Sequence, residues 1–208
     1  MELEVIKTDG AKSGKKVKLD ASVFGVEPND HAIYLDVKQI QANGRQATHK
    51  SKERGEVAGS RRKLRKQKGS GAARVGDIKN PIFRGGGRIF GPRSDRDYGF
   101  KLNKKLKVVA RKSALTYKAI DKGITIVENF NLDAPKTSEF QKIMTNLKLD
   151  GRSLVVIPEA NKNVYLSSRN LKKANVRLAS DLNSYEILNC KNLVIFQGAV
   201  EKIVENLK

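Results

Sequence analysis

The sequence contains no tryptophan, a single cysteine and aromatic residues at only 6%. A lone cysteine excludes an internal disulfide, and with only His31 and His49 beside it no set of zinc ligands can be assembled by spacing. Cys190 is therefore read as a small, buried, apolar residue. No run of apolar residues approaches the roughly 18 that a membrane-spanning helix requires, and the opening MELEVIKTDG lacks the apolar centre of a secretory signal. These absences lead us to expect a soluble, intracellular chain with no metal, no cofactor and no membrane partner.

What is abundant is positive charge. Lysine and arginine number 42 against 22 aspartate and glutamate, a net charge of +20 with a pI near 10.1. Solubility requires nothing so large, and an excess of this size favours a polyanionic partner, nucleic acid first. At 208 residues and 38% apolar content the chain still has enough for a globular core.

Charge and core separate along the chain. Residues 41–99 hold 16 basic side chains against 5 acidic ones, and 11 of the 17 glycines. Their large aliphatic and phenylalanine side chains are only Val57, Leu64, Val75, Ile78, Ile82, Phe83, Ile89 and Phe90. So few apolar groups cannot offset the conformational entropy of 59 ordered residues, and the segment is expected to need a partner for its order. Doubled back, it could reach up to about 95 Å at ~3.3 Å per residue, well beyond a domain of roughly 15 Å radius of gyration built from the rest.

The flanks carry periodic structure. Residues 28–43 place Ile33, Val37 and Ile40 on one helical stripe, with Pro28 in the first turn and Gly44 at the C-terminal end. After the basic segment, Leu102, Leu106, Val109, Ser113, Tyr117 and Ile120 recur in steps of three and four until Gly123. Then ITIVENF reads as a strand, TSEFQKIMTNLKL as a helix capped by Thr137 or Ser138, SLVVIP as a strand and NVYLSSRNLKK as a helix. NVRLAS follows as a strand, SDLNSYEILNC as a helix opened by Ser180 or Asp181, NLVIFQG as a strand and AVEKIVENL as a helix. MELEVIK adds an N-terminal strand. This alternation predicts an α/β fold, a three-layer α/β/α arrangement with a mostly parallel sheet. The expected organisation is one globular domain, residues 1–44 and 100–208, with a long extended loop, 45–99, inserted between two helices.

Phosphate-binding glycine loops fail on inspection. In GAKSGKK, Gly10 and Gly14 are one residue too close for a P-loop, and Lys16 stands where a magnesium-binding hydroxyl belongs. GSGAAR has Arg74, and GGGRIFG has Phe90, where the third glycine of a dinucleotide fingerprint is required. No catalytic constellation is present either: Asp95 and Asp97 lie amid arginines and read as charge partners, and His49 sits in the basic run. A binding protein is expected, with a nucleotide-using α/β enzyme acting on RNA as the alternative.

The chemistry of the loop suits RNA. Arginine and lysine contact phosphates, and glycine lets the backbone approach them. The candidate RNA-binding residues in the loop are Arg45, His49, Lys50, Lys52, Arg54, Arg61, Arg62, Arg74, Lys79, Arg84, Arg88 and Arg93. Phe83, Phe90 and Tyr98 are candidates for stacking on bases. On the following helix Lys104, Lys107, Arg111 and Lys118 share one face, another candidate RNA surface, while Leu106 and Val109 are expected to pack inward.

The linear order of GEVAGS (55–60), KQKGSGAAR (66–74), NPIFRGGG (80–87), NKK (103–105) and ARKSAL (110–115) resembles the large-subunit ribosomal protein four family of bacterial type. The likeness continues through ENF and APKT (128–137) and SSRNL (167–171). Arg65, Ala72 and Phe83 depart from residues common in that family, where an aromatic, an arginine and a tryptophan are usual. The resemblance implies a cytoplasmic ribosomal protein, monomeric within the ribosome, that binds 23S ribosomal RNA early in assembly of the large subunit. It implies a globular domain on the solvent side and a loop threading between RNA domains. The loop tip, Lys63, Leu64, Arg65, Lys66, Gln67, Lys68, Gly69, Ser70 and Gly71, would then line the constriction of the polypeptide exit tunnel. There it would lie near the nascent peptide, facing the hairpin of a neighbouring ribosomal protein.

Overall fold

A computed structural model describes residues 1–208. The chain divides into two compact units, Met1–Gln41 with Lys101–Lys208, and Ala42–Phe100. Along the chain the elements are β1 (Glu2–Ile6), β2 (Lys12–Lys18), α1 (Ala21–Phe24), α2 (Asp30–Asn43), α3 (Lys104–Ile120), β3 (Ile124–Val127) and α4 (Thr137–Asn146). They continue with β4 (Ser153–Ile157), α5 (Lys162–Arg169), β5 (Ala174–Leu178), α6 (Ser184–Asn189), β6 (Asn192–Phe196) and α7 (Gln197–Leu207).

Six strands form one sheet in the order β2-β1-β3-β6-β4-β5. All neighbours are parallel except the β1–β2 hairpin. Every residue of β4 is buried, so both faces of the sheet are covered, as its unbroken apolar run SLVVI requires. The helices that cover it pack in groups: α3 against α1, α6 and α7, and α4 against α5. The α/β reading of the sequence is thus correct. Register places Ile126 beside Val5 and Ile195, and Val194 beside Val155, at the centre of the core. Phe130 and Phe196 close one end with ring centroids 4.8 Å apart. Cys190 is buried, as expected; burial pushes its thiol pKa up, and its Sγ donates to the Ile187 carbonyl at 3.1 Å.

Several local expectations are corrected. Strand β2, KSGKKVK, has only Val17 as a large apolar residue, so no alternation announced it; its lysines leave the sheet edge charged. Helix α2 starts at Asp30, so Pro28 precedes the first turn instead of lying in it, and Asn29 caps the helix by accepting from the Ala32 amide at 2.9 Å. Its buried face is Ala32, Ile33, Asp36 and Gln39, because Ser184 Oγ donates to Asp36 at 2.6 Å and draws that polar side inward. Along α3 the buried residues are Ala110, Ser113, Ala114, Leu115, Thr116 and Ala119, whereas Val109 and Ile120 are exposed. Apart from Leu115 that face is made of small side chains, which lets the helix lie close to its neighbours but weakens the hydrophobic signal.

Capping residues differ as well. Neither Thr137 nor Ser138 caps α4, whose N-cap is Lys136 without a side-chain bond. Ser180 and Asp181 lie in a short 3-10 turn, and α6 begins after Asn183, which accepts from the Glu186 amide at 2.8 Å.

Candidate nucleic-acid interface

After α2 ends at Asn43, residues 44–100 form turns and bends with no helix or strand. The outgoing and returning arms are nevertheless joined by backbone hydrogen bonds. Ser51 donates to Pro92 at 3.1 Å, Arg88 to Lys52 at 2.9 Å and Leu64 to Gly76 at 2.9 Å. Two glycine classes support this. A Cβ on Gly87 would stand 2.3 Å from the Arg54 nitrogen and 2.5 Å from its Cα, so only glycine lets the arms approach. Gly69 and Gly71, at φ 80° and 64°, face open space and serve the turn at the tip.

Acidic side chains fix part of the basic set. Lys50 pairs with Glu56 at 2.6 Å, Arg93 with Glu53 at 2.5 Å and Arg54 with Asp77 at 3.0 Å. The Lys50 hydrogen bond, with help from the Glu53 amide, holds the Glu56 carboxyl below the usual carboxylate range, and Glu56 in turn raises the Lys50 pKa. Exposed pairs of this kind stabilise little and position more.

Residues 58–74 form an unbroken exposed run. It carries Arg61, Arg62, Lys63, Arg65, Lys66, Lys68 and Arg74 and no acidic residue. Leu64 is 48% exposed within it, and Lys63 is bonded to Gln67. A cavity of about 930 Å³ opens between this run and residues 78–85, with Arg62, Lys63, Arg65, Lys66, Lys79 and Arg84 around an apolar floor of Val57, Leu64 and Ile78. Among the other candidates Lys52, Arg84 and Arg88 are exposed, while Lys79 is buried and its carbonyl accepts from the Gly87 amide at 3.0 Å.

The three aromatic candidates differ. Phe90 is fully exposed with a backbone φ of 50°, which a side chain larger than glycine adopts rarely. Phe83 is half-buried. Tyr98 has the guanidinium carbons of Arg45 and Arg96 at 4.1 and 4.9 Å from its ring centre, and its hydroxyl lies 3.2 Å from His49 Nε2. Sequence reasoning brought together neither this cluster nor Arg96, although Arg96 stands two residues before the tyrosine.

On α3, Lys104 is exposed, and Lys107, Arg111 and Lys118 are half-buried. Lys118 Nζ donates to the Cys190 carbonyl at 2.6 Å, and Arg111 Nε is buried without a hydrogen-bond partner. The expected inward packing of Val109 is corrected here: it is 39% exposed, and Val108 packs against the core instead.

No group of three or more histidine, cysteine, aspartate or glutamate side chains could hold a metal ion, and no helix is long and apolar enough to cross a membrane. GAKSGKK lies around strand β2, and GSGAAR and GGGRIFG lie in irregular chain, so none joins a strand to a helix N-terminus.

Residues 17–206 match the family model described as the ribosomal protein L4/L1 family. Over 208 residues the chain is 57% identical to the large ribosomal subunit protein uL4 of Phocaeicola vulgatus, covering 100% of this chain and 99% of the relative. The protein of the same name from Parabacteroides distasonis is 58% identical over 209 residues, and that from Christiangramia forsetii 56% over 208, each covering 100% of both chains. With a family model spanning nearly the whole sequence and full-length relatives above half identity, the chain belongs to the ribosomal protein L4/L1 family.

Proposed function

We propose that this chain builds the large subunit of the cytoplasmic ribosome by binding 23S ribosomal RNA early in assembly, through the irregular basic unit of residues 42–100. Membership of a ribosomal-protein family makes the chain a structural component and not an enzyme, which removes the nucleotide-using alternative. The observation that carries the RNA reading is the exposed run 58–74, with seven basic side chains and no acidic one. Order in such a segment comes from a polyanion that surrounds it. Phosphate contacts fall to exposed residues such as Lys52, Arg61, Arg62, Arg74, Arg84 and Arg88, with Phe90 reaching a base. Lys63–Gly71 form the tip at the exit tunnel, beside the nascent peptide and a second ribosomal protein.

Co-sedimentation tests the assignment: the chain should stay with large subunits through a high-salt wash, and its release into the supernatant would overturn it. Reconstituted ribosomes carrying Lys68→Glu at the tip or Lys52→Glu farther back test the tunnel. The tip variant should alter macrolide footprints and the response to stalling peptides more than the other, and matching profiles would remove any special role for the tip.

A further inference from the structure

The five acidic side chains of the loop unit are not alike. Glu53, Glu56, Asp95 and Asp97 are exposed, whereas Asp77 keeps only 8% of its surface. Its Oδ2 pairs with Arg54 Nη2 at 3.0 Å, but its Oδ1 is buried with no hydrogen-bond partner. Asp77 borders a cavity of about 380 Å³ whose walls also include Arg61, Lys63, Gln67 and Arg74. A buried carboxylate oxygen without a donor is costly, so a group that donates to it is favoured there.

The cavity walls therefore hold the guanidinium groups of Arg61 and Arg74 and the residue that carries the unsatisfied acceptor. A phosphodiester of the backbone satisfies only the guanidinium groups, because it carries no proton to donate. A ribose 3′-phosphate satisfies both, since the 2′-hydroxyl on the neighbouring carbon is a donor. We propose that this cavity holds one ribonucleotide unit, with its phosphate on Arg61 and Arg74 and its 2′-hydroxyl donating to Asp77 Oδ1. The loop would thereby distinguish RNA from DNA at a single nucleotide. The inference rests on the RNA-binding reading above and assigns it a place where the sugar is recognised.

Titration of the full chain with uridine 3′-monophosphate, 2′-deoxyuridine 3′-monophosphate and inorganic phosphate, followed through the backbone amides of Val75, Gly76 and Asp77, tests this. Loss of one hydrogen bond to a charged group should weaken the deoxynucleotide about tenfold relative to the ribonucleotide. In Asp77→Asn the amide oxygen turns to Arg54 and the NH₂ faces the cavity, replacing an acceptor with a donor. That variant should bind the two nucleotides alike, while Arg61→Gln should weaken both and keep their ratio. Equal affinities in the natural protein, no measurable nucleotide binding, or discrimination that survives Asp77→Asn would overturn the assignment. A parallel titration with 23S ribosomal RNA separates the two levels: if RNA binds but the nucleotides are not distinguished, only the cavity assignment falls, and if RNA does not bind, the RNA reading falls with it.

Discussion

The two units are ordered by different means. In the globular unit the sheet strands are lined on both sides by residues such as Val5, Ile126, Leu154 and Ile195, none more than 1% exposed. In the loop unit the only buried residues are Asp77, Lys79 and Gly87, and none of them is a large apolar side chain. Backbone bonds between the arms, the close approach at Gly87 and ion pairs from Lys50, Arg54 and Arg93 take the place of a core. The difference teaches that one chain can divide its roles: a domain that folds on apolar burial, and a segment whose shape is held by contacts too weak to protect it from local opening. Such a segment suits the polyanionic partner proposed above, because the seven basic side chains of residues 58–74 have no acidic residue within that run.

The largest expected effect comes from removing one side of the comparison. Deleting residues 46–98 and bridging the ends with a short linker should leave the globular unit folded and abolish most RNA affinity. The slope of log affinity against log salt should fall by about 0.7 to 0.9 per lost phosphate contact. An unchanged slope would show that the globular unit, not the loop, carries the binding.

A smaller effect should follow from damage to the core. Ile195 is fully buried on β6, so Ile195→Ala should destabilise the globular unit by about 2–5 kcal/mol. Thermal unfolding measures this, and amide exchange in residues 58–74 should not change. Faster exchange at the tip in this variant would mean that the two units share one cooperative transition.

The smallest effect on stability is expected at Gly87. A methyl group there meets the backbone of Arg54 at 2.3 Å, so Gly87→Ala should push the arms apart. Melting of the globular unit should stay within about 0.5 kcal/mol, while exchange of the Arg88 amide, bonded to Lys52 at 2.9 Å, should quicken. Unaltered exchange would show that the arms are not held by that approach.

Much of this was legible in the sequence alone. Apolar runs such as SLVVI and NLVIF determined the parallel strands, because a strand buried on both faces must be apolar throughout. The contrast between residues 41–99 and the rest determined where the core would not be, and the order of motifs from GEVAGS to ARKSAL determined the family. Only the tertiary structure decided the edge strand KSGKKVK, whose pairing comes from β1 and not from its own composition. It also decided which face of α3 is buried, since alanines and a serine carry too little hydrophobicity to outweigh Val109 and Ile120 in a periodicity. Within the loop it decided which charges are engaged, pairing Lys50, Arg54 and Arg93 with Glu56, Asp77 and Glu53. A pairing such as that of Arg93 with Glu53, 40 residues apart, depends on how two arms fold back on one another, and residue identities along a line do not encode that geometry.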